Sequence, residues 1–161
     1  MKKKLLAILP IAAIAVLFIA ANEEKPKKWD VSNPPGESKE VAFSVTEGTW
    51  MNLDVSPDGK TVVFDLLGDI YSLPVTGGTA TPLQTGHAWQ SQPRYSPDGK
   101  NICFTSDGGG GDNIWRMKND GTDPKQITSE NFRLLNNAVW TADGQYVIAR
   151  KHFSSTRSIG A

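Results

Sequence analysis

Short apolar runs recur along the chain, each placed just after a bend of fixed polar composition. Val62-Val63-Phe64, Ile102-Cys103-Phe104 and Val147-Ile148-Ala149 follow Ser56-Pro57-Asp58-Gly59-Lys60, Ser96-Pro97-Asp98-Gly99-Lys100 and the altered copy Thr141-Ala142-Asp143-Gly144-Gln145. The turn glycines are 40 and then 45 residues apart, the period of a small all-β unit copied along a chain. The register extends past the bend. Ile70-Tyr71-Ser72-Leu73 falls on Ile114-Trp115-Arg116-Met117, Gly77 on Gly121 and Leu83 on Ile127. Four of the five extra residues in the second interval lie in the run Gly108 to Gly111, so the length change sits in a loop.

The bend has a physical reason for its residues. Proline pre-sets φ at the first central position, aspartate hydrogen-bonds the turn, and glycine supplies φ > 0. The flanking segments are short, rich in Val, Ile, Phe and Tyr, and punctuated by Gly and Pro, which predicts strands. Apolar residues at consecutive positions predict strands covered on both faces. One such unit cannot bury both faces alone, so copies must stack, and the radial solution is a β-propeller. The expectation is all-β: about three four-stranded antiparallel blades, over residues 49–87, 89–131 and 134–161, forming an incomplete ring. An immunoglobulin-like sandwich is the competing fold, but it does not demand one turn pentapeptide at this period.

Lys2-Lys3-Lys4, the apolar stretch 5–21 and the polar stretch that follows have the architecture of a secretory leader. Cleavage of 1–21 is the expectation, and its retention as a membrane anchor is the alternative. Residues 22–40, with Lys25, Pro26, Lys27, Lys28, Pro34, Pro35 and Gly36, read as a linker, and 41–161 as the propeller region. The expected location is periplasmic or extracellular, with any membrane contact made through 5–21. Three units cannot close a ring, so the chain reads as the N-terminal piece of a longer protein, an oligomer completing the ring being the alternative. Residues 41–45 are expected to form a strand that joins the last blade and closes the ring once the rest of the longer chain is present.

Charge and candidate chemistry narrow the function. Loss of 1–21 removes three lysines and no acid from a chain of zero formal charge, leaving −3 and no basic stripe for nucleic acid. Cys103 is the one cysteine and aligns with Val63 and Ile148, which predicts a buried side chain. His87 and His152 stand 65 residues apart without ligand-like spacing, and no serine occupies a Gly-x-Ser-x-Gly elbow. No catalytic, cofactor-binding or metal residue is therefore assigned. Asp107, Asp112 and Asn113, around the glycine run, offer oxygens to calcium, but at a spacing unlike a calcium loop. Asn52, Gln92 and Asn137, each four residues before its turn, place an amide on the strand that would line a channel. Cross-blade hydrogen bonding without a ligand is the alternative role for that row.

The Ser-Pro-Asp-Gly-Lys bend between apolar strands, followed by Asp69-Ile70-Tyr71 or Asn113-Ile114-Trp115, resembles the WD-like repeats of TolB-type β-propellers across about residues 41–150. The stretch Glu47 to Val55, with Asp65-Leu66-Leu67-Gly68-Asp69-Ile70-Tyr71 after it, resembles the start of exported bacterial amidohydrolases, in which a propeller precedes a metal-dependent hydrolase barrel. That resemblance implies a parent enzyme hydrolysing C–N bonds, whose metal-binding residues lie beyond Ala161. A TolB-like periplasmic protein-binding propeller and the gating propeller of a prolyl-oligopeptidase-like serine peptidase are the other two readings. The partners implied are the rest of the parent chain and a protein or peptide ligand.

Overall fold

The computed structural model describes residues 30–152, and every strand in it falls within the repeat register. The first sheet is β1 (Leu53–Val55), β2 (Thr61–Leu66), β3 (Asp69–Pro74) and β4 (Thr81–Gln84), in that order. The second is β5 (Gln90–Tyr95), β6 (Asn101–Ser106), β7 (Asn113–Lys118) and β8 (Lys125–Gln126). The third holds β9 (Leu135–Trp140) and β10 (Val147–Lys151) among the described residues. All pairings are antiparallel, and each Ser/Thr-x-Asp-Gly bend joins the first two strands of its sheet. These are successive blades of an open ring.

The core lies between blades. Val63 and Ile70 of the first sheet pack with Ile102, Phe104 and Met117 of the second. Cys103 and Ile114, on the opposite face of the second sheet, pack with Leu135 and Ala138 of the third. The triplet Ile102-Cys103-Phe104 is fully buried because its blade is covered on both sides, while Ile148 of the third blade is exposed. In the second blade, consecutive apolar residues thus mark a sheet sandwiched between two others.

The repeat register explains the large apolar side chains left exposed on the first blade. Trp50 is fully exposed, whereas its equivalents Gln90 and Leu135 are 7% and 9% exposed. Leu53 is 56% exposed, and its equivalents Pro93 and Ala138 are buried against the blade before them. Residues 41–45 carry no strand, and Val41, Phe43 and Val45 are exposed. A strand exists through its ladder, and no neighbouring strand among the described residues offers one. The leader and residues 22–29 of the linker lie outside the described residues. No described helix is long and apolar enough to cross a membrane.

Candidate functional site: the polar junctions between blades

The three bends are copies down to their hydrogen bonds. In the first, the Ser56 hydroxyl donates to Asp58 Oδ1 at 2.6 Å and accepts from the Thr61 N–H at 2.9 Å, while the Lys60 N–H donates to Asp58 Oδ1 at 3.1 Å. Ser96 and Asp98 repeat this set, and Thr141 with Asp143 repeats it with a threonine hydroxyl. Gly59, Gly99 and Gly144 stand at φ of 70°, 69° and 68°. The hydroxyl bond chiefly, aided by the following backbone N–H, holds the carboxyls of Asp58, Asp98 and Asp143 below the usual range. The third copy lacks the proline and lysine yet bends identically. Pro57 and Pro97 instead touch the next blade's bend: a Cβ built on Gly99 stands 3.4 Å from Pro57 Cδ, and one on Gly144 stands 3.7 Å from Pro97 Cδ.

The amide row Asn52, Gln92 and Asn137 lies at the blade junctions. Asp65, 6% exposed on β2, accepts the Asn52 N–H at 2.8 Å, the Asn52 side-chain amide at 2.8 Å and the Gln92 N–H of the second blade at 2.7 Å. One boundary further on, Gln92 Oε1 accepts the Asn137 N–H at 2.7 Å and the Thr105 hydroxyl at 3.3 Å. Thr105 is the register equivalent of Asp65. Gln92 and Asn137 both take left-handed φ, 57° and 53°, which turns their N–H groups toward the preceding blade. The Asn137 side chain is exposed and donates to Asn136 at 3.3 Å.

A second set of bonds crosses the same boundaries. Asp54 Oδ2 accepts the Tyr95 N–H at 2.8 Å, and Arg94 Nη1 donates to the Leu53 carbonyl at 3.0 Å. Trp140 Nε1 donates to the Arg94 carbonyl at 3.2 Å. The sequence reading missed Asp54 and Asp65. A signal was present, since Asp65 interrupts an apolar strand, where a carboxylate survives only if donors meet it.

The remaining candidates are placed as follows. Asn113, 2% exposed, donates to the Gly111 and Glu130 carbonyls and accepts from the Thr128 hydroxyl and the Glu130 N–H. Its amide thereby anchors the segment that leads into the third blade. Asp69, its register equivalent, holds the corresponding loop through the Gly86 N–H at 3.2 Å. Asp107 Oδ1 accepts the Trp89 N–H at 2.8 Å. Among the described residues, no group of three or more His, Cys, Asp or Glu is placed to hold a metal.

His87 is exposed, and His152 Nε2 sits 3.3 Å from Asn136 Oδ1. Cys103 is fully buried, and desolvation pushes its thiol up to about 12. Glu130 accepts the Phe132 and Arg133 N–H groups at 3.0 Å each and pairs with Lys151. That lysine, followed by the two N–H groups, lowers its carboxyl to about 2.

Comparison with known proteins agrees with this geometry. Residues 22–161 match the family described as TolB beta propeller domain. An uncharacterized protein of Agrobacterium fabrum is 38% identical over 81 residues, covering 48% of this chain and 28% of that protein. Tricorn protease homolog 1 of Streptomyces coelicolor is 29% identical over 89 residues, covering 55% of this chain and 8% of the relative. Among solved structures, a TolB from Agrobacterium tumefaciens superposes with a TM-score of 0.59 at 30% identity, over 66% of this chain and 40% of that one. TolB from Acinetobacter baumannii gives 0.54 at 26%, over 67% and 28%. The chain therefore spans well under half the length of each of these proteins.

Proposed function

The chain belongs to the TolB β-propeller domain family, and from that premise we propose that it is the non-catalytic propeller portion of a larger exported hydrolase. One observation carries the scaffold role. Polar side chains that recur with the repeat are spent on the scaffold itself: Asp65 takes three N–H donors, one of them across a blade boundary, and each turn hydroxyl is bonded to its own aspartate. A side chain committed this way keeps a ring in shape and is poorly placed to act on a substrate.

For the parent we favour a metal-dependent amidohydrolase, on the resemblance of residues 47–71 to the start of such enzymes. The metal and its ligands would then belong to sequence beyond Ala161. A second reading, a propeller that gates a peptidase, draws support from the 29% identity to Tricorn protease homolog 1. A stand-alone protein-binding propeller draws on the likeness to the two TolB structures.

Reading the gene past the codon for Ala161 tests these against one another. The first reading expects a His-x-His pair on a predicted strand, the second a Gly-x-Ser-x-Gly elbow, and a stop after a few more blades leaves the third. The 161-residue chain itself is expected to turn over no amide substrate, and hydrolysis by it contradicts the scaffold role.

A further inference from the structure

Where the first and second blades meet, the β2–β3 hairpin and the segment entering β5 frame a hollow of about 350 Å³. Trp50, Leu67 and Trp89 wall it together with Asn52, Asp65 and Ser91, and no Lys, Arg or His lines it. We propose that this hollow binds a neutral saccharide, one pyranose ring of which rests on the Trp89 indole. The inference goes beyond the proposed function and is independent of which parent the propeller serves.

The first observation is an aromatic wall that is both fixed and open. The Trp89 backbone N–H donates to Asp107 at 2.8 Å, and its ring lies so close over Gly68 that a Cβ there would stand 2.8 Å from Trp89 Cε3. Even so, 59% of Trp89 stays exposed, and Leu67 and Trp50 in the same walls are more exposed still. An apolar peptide side chain gains most from an enclosed pocket, which these open walls do not form. A pyranose needs less cover, because its C–H face lies flat on an indole while its hydroxyls stay at the rim.

The second observation is conformational. Trp50 and Leu67 are held at left-handed φ, 57° and 55°, which costs a bulky side chain, and neither gains burial in return. The other two blades take their left-handed residue two positions later in the register, at Gln92 and Asn137, so the first blade departs from the repeat at Trp50. Strain without burial, found twice in the walls of one hollow, is the signature of a place kept for function. The third is hydrogen-bonding capacity. Asp65, the hollow's sole charged residue, already accepts three N–H donors and is not left for a cation. Asn52 Oδ1 and the Ser91 hydroxyl have no hydrogen-bond partner among the described residues, and such uncharged groups suit the hydroxyls of a sugar.

Titration of the ¹⁵N-labelled 161-residue chain with cellobiose and with lactose, followed by its indole N–H resonances, tests this. At least one disaccharide is expected to shift Trp89 saturably while Trp115 and Trp140 stay in place. Mannitol, which carries hydroxyls but no ring face, is expected to move none of them. Leu67→Asn, a change that should stabilise the chain, and Ser91→Ala should each weaken the titration by about threefold. Unchanged Trp115 and Trp140 signals in those variants certify an intact fold. No saturable shift with either disaccharide, an equal response to mannitol, or full affinity in both variants overturns the proposal. Tighter binding of acetyl-leucine-N-methylamide overturns it as well, by assigning the hollow to an apolar peptide side chain.

Discussion

The backbone N–H of Gln92 reaches across the first blade boundary and donates to Asp65 Oδ2 at 2.7 Å. That contact joins a residue forced into left-handed φ to a buried carboxylate that also holds two donors from Asn52. Each feature explains the other. Without the carboxylate the N–H would be a partly buried orphan, and without the left-handed turn it would point elsewhere.

Asp65→Ala should therefore destabilise the chain by about 3 kcal/mol or more, since it leaves several partly buried donors unmet. Asp65→Asn keeps one acceptor oxygen and should cost less. Urea unfolding of the three proteins ranks them, and equal midpoints refute the junction role.

Leu67 and Gly68 form a two-residue hairpin turn with φ of 55° and 88°, the pattern that suits Asn-Gly. Leu67 is 68% exposed, so it gains little from burial there. Leu67→Asn should raise stability by roughly 0.5–1 kcal/mol. Gly68→Ala should lower it by more than that, because its Cβ would meet the Trp89 ring. Thermal melts of both variants check the opposite signs.

In the repeated bends, Gly99→Ala meets a left-handed φ of 69°, with the Pro57 ring only at ordinary contact distance, and should cost about 1 kcal/mol. Ser96 is 3% exposed, so Ser96→Ala should cost about 1 kcal/mol, whereas Ser96→Thr keeps the hydroxyl bond that Thr141 already makes. Chemical denaturation of the pair separates the hydroxyl from the side-chain volume.

Glu130 supplies a pH dependence. Its carboxyl lies at about 2, below the ordinary 4.5, because Lys151 and two N–H groups favour the charged form. A depressed carboxyl contributes stability that is complete above 4.5 and is lost as pH falls toward 2. Lys151→Met should raise that carboxyl toward its ordinary value. Carboxyl-carbon NMR titration measures the shift, and an unchanged value in the variant contradicts the pairing.

Cys103 should resist iodoacetamide at mildly alkaline pH in the folded chain and react once urea unfolds it, because a buried thiol near 12 yields almost no thiolate. Mass spectrometry of both samples decides.

How far the sequence reached depends on which interaction each residue serves. Local chemistry was legible: proline, aspartate and glycine in a pentapeptide dictate a bend wherever they occur, and the period of that bend announces stacked units. The pairing of Gln92 with Asp65 was not, since it links residues 27 apart through a left-handed bulge that no residue type announces. Residues 41–45 read as a strand by composition, yet a strand needs a partner as well as a pattern. The bond from the Trp89 N–H to Asp107 escaped notice for a similar reason, because the two residues become neighbours only when β5 pairs with β6.

The central claim is that copied blades are fastened to one another by polar residues of the first two strands of each blade. Residue-resolved amide hydrogen exchange at Gln92, in the native chain and in Asp65→Ala, tests it most directly. The account predicts a Gln92 N–H protected in the first and freely exchanging in the second, while Cys103 within β6 stays protected in both. A Gln92 amide that exchanges as fast as an exposed loop in the native chain contradicts it.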